Sequence, residues 1–173
     1  MKMLRSVVVS VMFFVLMISM GCTHSVITKQ YPIDPKSVPA LTSDNPIAII
    51  NAQTDTKEVF IGTNGLAKFT GNLQQYTDTV IETLKTELNK KNIRTSKDAE
   101  KTLKVSVTKT SLETGMWGFG CDAYVTIETG DGYKKELVGK GGGGVLLVAV
   151  NSSVNDAVVA ILNDDSVLAY LRR

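Results

Sequence analysis

The chain has 173 residues, of which 43% are hydrophobic and 21% charged, and a formal net charge of +2 at pH 7. That length suits one ordinary domain with a real core. The surplus positive charges, Lys2 and Arg5, lie in the first 21 residues, which hold no acid, so the remainder is neutral and offers no electrostatic basis for binding nucleic acid.

At the N-terminus, Lys2 and Arg5 precede an apolar stretch from Val7 to Met20, and small Gly21 stands before Cys22, the layout of a secretory signal. Fourteen residues at ~1.5 Å each reach roughly 21 Å, short of the ~30 Å hydrocarbon core, which disfavours a spanning helix. "SMGC" resembles the bacterial lipoprotein signal, in which cleavage after the small residue, here Gly21, leaves an acylated cysteine, here Cys22, as the mature N-terminus. Several acyl chains, each buried CH2 contributing about 0.8 kcal/mol, hold such a protein on a bilayer nearly permanently. With Thr23 after the cysteine, the resemblance implies the outer membrane. Ordinary cleavage and an uncleaved anchor are the alternatives.

All four prolines, Pro32, Pro35, Pro39 and Pro46, fall between Cys22 and the first strand candidate. Proline with Ser, Thr and Asp builds no core, so residues 22–45 read as a lipid-anchored flexible tether. The globular domain is expected over 46–173.

"PIAIINA", residues 46–52, is a short β-branched apolar run and reads as a buried strand. Residues 53–71 are ambiguous, although Glu58 to Gly62 suits a short edge strand before an Asn64-Gly65 turn. From Asn72 to Lys91 the period changes. Leu73, Tyr76, Val80, Ile81, Leu84 and Leu88 recur at helical steps, and Asn72 can cap the first turn. "TLKVSVTKT" then alternates strictly, with Leu103, Val105 and Val107 on one face. Residues 121–128 alternate likewise, with Cys121 on the apolar side as an inert buried thiol. Asp131-Gly132 signals a tight turn, and Tyr133 to Val138 returns, completing an antiparallel meander. Gly141 to Gly144 follow, read as a hinge or a close backbone crossing. "VLLVAV", residues 145–150, suits either strand or helix. Ser153 with Asp156 predicts a capping box for a second helix, and Asp164 or Asp165 a cap for a last short one.

Few residues carry chemistry. His24, the only histidine, falls in the expected tether, and with one buried cysteine it supplies neither zinc's usual ligand set nor a catalytic constellation. "VGKGGGGV" has Gly141 where a phosphate loop needs Ser or Thr. Asp122, Glu128 and Asp131 read as solvated. "ETGMWGFGCD" places the sole tryptophan, Trp117, beside Phe119 among glycines, so the loop either folds back over the core or exposes flat apolar surface. Trp117, Phe119 and Tyr124 are therefore the candidate binding surface.

The layout of strand, helix, three-strand meander and C-terminal helix pair resembles the YajG-type family of uncharacterised bacterial lipoproteins. The residues that carry the resemblance are "GCTHS", "VIETLKTELNKKNIRT" followed by "TLKVSVTKT", and "VNDAVVAILNDDSVLAYLRR". It implies an α+β domain and a non-catalytic accessory role, with no cofactor or catalytic residues to carry over. The expected fold is an α+β two-layer sandwich, with helices 72–91 and 151–171 on one face of a largely antiparallel sheet. The expected function is a lipid-anchored interaction or assembly module of the cell envelope, facing the periplasm and meeting an envelope protein partner. The alternative is a binder of lipid or peptidoglycan fragments through the Trp117 loop.

Overall fold

The computed structural model describes residues 22–173, so the expected signal segment 1–21, with its cleavage point at Gly21, lies outside the described residues. In chain order the elements are β1 (Thr23–Val26), a single 3-10 turn (Pro35–Ser37), β2 (Ile47–Asn51), β3 (Glu58–Asn64), β4 (Ala67–Asn72) and α1 (Leu73–Lys90). There follow β5 (Lys101–Gly115), β6 (Gly118–Thr129), β7 (Lys134–Gly143), α2 (Leu146–Leu162) and α3 (Asp165–Arg172).

The main sheet has the order β2-β5-β6-β7. Strands β5, β6 and β7 form the expected antiparallel meander, and β2 joins β5 in parallel. Alternation in β5 and β6 sends Leu103, Val105, Val107, Val125 and Ile127 to one side, where they meet Val80 and Leu84 of α1 and Val154, Val158 and Ile161 of α2 in a fully buried core. The chain is thus an α+β sandwich, with its helices covering one sheet face. Helix α1 begins where its sequence signals: the Asn72 side chain accepts from the Gln75 amide at 2.9 Å. Asp164 likewise caps α3, accepting from the amides of Ser166 and Val167 at 3.1 and 3.0 Å.

Two expectations need correction. The segment 22–45 is no flexible tether. Strand β1 pairs in parallel with β4, which pairs antiparallel with β3, and together they make a second, smaller sheet. Val26, Ile33, Val38 and Leu41 enter the core, and the buried Thr28 hydroxyl bonds that of Thr79 at 2.7 Å. Each aliphatic side chain so buried contributes about 1.5–3 kcal/mol, which offsets the ordering of the polar residues between them. Their wide spacing hides them from a compositional reading.

Residues 145–150 take the helical one of their two readings, and the expected capping box is what fails: α2 starts at Leu146, so Ser153 lies inside the helix, where its hydroxyl donates to the Val150 carbonyl at 2.8 Å. The Asp156 carboxylate accepts from the Lys140 amide of β7 at 2.8 Å. The glycines before α2 follow one of their two expected readings. Gly139 and Gly141 lie within β7 directly under α2, and a β carbon on either would collide with the helix backbone at Ser153 O or Ala149 O. Of the two readings of the glycine run, the close backbone crossing is the one observed.

Candidate functional site

Strands β5 and β6 close on a two-residue turn, because Gly115 pairs with Gly118 and only Met116 and Trp117 lie between them. Both side chains point away from the protein: Trp117 is 92% exposed and Met116 88%. Phe119, two residues on, falls in register with the inward set of β6 and packs half-buried against the core. Tyr124 belongs to the opposite set. Its ring lies 5.1 Å from the Lys109 ammonium on the open sheet face. The three aromatics named from the sequence therefore form no single surface. The pleat sends Tyr124 to the face opposite Phe119, while Trp117, Met116 and Phe119 line one depression of about 500 Å³.

Cys22 occupies the same end of the molecule. Its carbonyl accepts from the Lys68 amide at 3.0 Å, which fastens the start of β1 to β4. Thr23 and Thr63 both pair with Lys68, so Cys22 is nearly level with the β3–β4 turn at Gly65-Leu66. Gly65 takes the φ of +57° that this turn requires, and Leu66 is 75% exposed. The turn adjoins the Trp117 hairpin, because the Thr114 hydroxyl donates to the Thr63 carbonyl at 2.8 Å. The β7–α2 junction arrives there too: Phe119 pairs with Gly143, and exposed Val145 follows. His24 stacks on Phe69 with ring centroids 5.8 Å apart. These two, with Val26, Ile27, Leu146 and Leu147 and the polar Ser25 and Lys29, line a largely apolar groove of about 440 Å³ beside Cys22. Leu66, Val145 and Leu147 were not singled out in the sequence. Nothing local marks them, since their meeting depends on the pairing of strands distant along the chain.

The opposite end is polar. A depression of about 610 Å³ there is lined by Asn45, Asp98, Lys101, Asp131 and Tyr170, among others. The Tyr170 hydroxyl accepts from the amides of Thr102 and Gly130 at 2.9 and 3.2 Å, and Asp131 pairs with Arg173 at 2.9 Å. Glu128 pairs with Lys104 at 2.7 Å and Asp122 with Lys140 at 3.4 Å, both on the open face. Cys121 lies in the core, where burial pushes its thiol up to about 11, against the lowering effect of the Ser153 hydroxyl 3.3 Å away. Its sulfur is therefore a thiol at neutral pH and a poor nucleophile. Among the described residues no three His, Cys, Asp or Glu side chains converge to hold a metal ion.

No protein-family profile and no characterised protein matches this chain.

Proposed function

We propose that the protein is a lipid-anchored module of the bacterial cell envelope, acylated at Cys22, held on the periplasmic side of the outer membrane, and acting by binding other envelope proteins instead of by catalysis. The observation that carries this reading is the sequence around Cys22: a basic start, an apolar run too short to span, and a small residue before the cysteine. Two structural features support it. Cys22 is exposed, as a modified residue must be. The outer face of the four-stranded sheet offers a rigid polar surface of both signs, with Lys104 beside Glu128 and Lys140 beside Asp122, suited to a protein partner.

Fatty-acid labelling in cells tests the anchor. Wild type should take the label and fractionate with membranes, whereas Cys22→Ser should lose it and accumulate as an unprocessed precursor. Label retained by Cys22→Ser would defeat the reading.

A further inference from the structure

We propose that the end of the protein bearing Cys22 lies in the interfacial layer of the bilayer, with Leu66, Met116, Trp117, Val145 and Leu147 as its lipid-contacting residues. This rests on the anchor reading above and adds an orientation to it. A domain on a flexible leash would turn freely. Here the leash is absent: Cys22 is bonded through its carbonyl to Lys68, and the next residue already lies in β1. Acyl chains on Cys22 would therefore bring this end, and no other, against the membrane.

The surface presented there has the chemistry of an interfacial face. Residues 22–25, 62–69, 113–120 and 142–148, which build it, include two charged side chains, Lys68 and Glu113, with Lys29 on the adjoining groove. Three separate turns each extend large apolar groups outward, namely Leu66, the pair Met116 and Trp117, and Val145. Tryptophan favours the headgroup level, where its ring is in apolar surroundings and its N–H reaches polar ones. Lys68 is placed beside Cys22 to meet lipid phosphates. Insertion of such turns by about 5–10 Å is the depth at which interfacial protein segments lie. The polar end, with Asp98, Glu100 and Asp131, would then face away from the membrane and leave the sheet face open to partners.

Trp117, as the sole tryptophan, is its own reporter. The lipidated full chain would be reconstituted in vesicles of phosphatidylethanolamine and phosphatidylglycerol, with or without a nitroxide-labelled phosphatidylcholine. The proposal expects Trp117 emission to shift to the blue and to fall by roughly half with the nitroxide lipid, as for an interfacial ring. A Trp117→Phe, Lys97→Trp double variant moves the reporter to the polar end, where emission should be unchanged. Leu66→Asp, in an exposed turn where it costs the fold little, should relieve part of the Trp117 quenching.

Quenching absent at Trp117, or equal at both ends, in a sample that carries the fatty-acid label would overturn the orientation and leave the anchor standing. Trp117 shielded from acrylamide in native membranes but untouched by the nitroxide lipid would overturn it in favour of a protein lying over this end. A full chain that takes no label would remove both readings.

Discussion

The two ends of the sandwich differ in what their side chains do for the fold. At the polar end the conspicuous groups are built into it. Asp164 caps α3 and also accepts from the Lys135 ammonium at 2.7 Å, its side chain only 4% exposed. Tyr170 satisfies two backbone amides, and Arg173 holds Asp131. At the Cys22 end the conspicuous groups, Leu66, Met116 and Trp117, project outward from tight turns. Folding accounts for the first set and not for the second, and surplus apolar surface with no internal use is the mark of an external contact.

This contrast requires the ends to be rigidly joined, and α2 joins them by running along β7 from Leu146 to Leu162. Gly139→Val attacks that link, since its side chain would enter the α2 backbone at Ser153 and Ala157. A loss of about 3 kcal/mol or more is expected, read as a lower urea midpoint. A loss below ~1 kcal/mol would mean that α2 can shift off β7 cheaply, leaving the paired strands β5 and β6 alone to join the two ends.

A somewhat smaller effect is expected at the polar end. Asp164→Ala removes the α3 cap and the partner of Lys135, and should cost about 2–3 kcal/mol. The effect should depend on pH. Burial pushes the Asp164 carboxyl up, but the Lys135 ammonium, the Val167 amide and the Tyr133 hydroxyl outweigh it and hold the group below its ordinary value. A carboxyl depressed in the folded state stabilises above its unfolded value, ~3.9, and that contribution is lost as pH falls through the folded value. Urea midpoints of wild type and variant should therefore draw together as pH falls from about 5 through the folded value. A gap that stays constant would show that the ionised carboxylate is not what stabilises α3.

How far these features could be read in advance followed the range of the forces that make them. Helix α1 and strands β5 and β6 are written in local periodicity, and the Asn72 and Asp164 caps in single residues, so all were legible. Strand β1 was not, because four residues with one buried side chain make no pattern until β4 pairs with them. The start of α2 was less legible because Ser153 and Asp156 mimic a capping box, whereas the helix begins at Leu146 with no side-chain cap and lies close on the glycines of β7. At the candidate site, glycines flanking Trp117 mark an unusual loop, but the period of two in β6 puts Phe119 and Tyr124 on opposite faces and so divides that candidate surface. The Cys22 end as a surface could not be seen at all from residues read one stretch at a time. It is assembled from four chain segments by strand register.

The smallest expected effect bears most directly on why that surface exists. Leu66, Met116 and Trp117 can each be changed to Ser, singly and together. If their side chains support nothing within the protein, each substitution should alter stability by no more than about 0.5 kcal/mol, and the triple variant by little more, because exposed sites removed from packing are usually near-neutral. Urea unfolding of the triple variant beside wild type provides the measurement. A loss beyond ~2 kcal/mol would place the three side chains among those that hold the fold, and the asymmetry between the ends would then need no outside partner. A near-zero result leaves a fold that tolerates serine where leucine, methionine and tryptophan stand, so the reason for those residues must lie beyond the folded domain. Since they surround the exposed cysteine at which the chain enters its first strand, the nearest such reason is whatever that cysteine is fixed to.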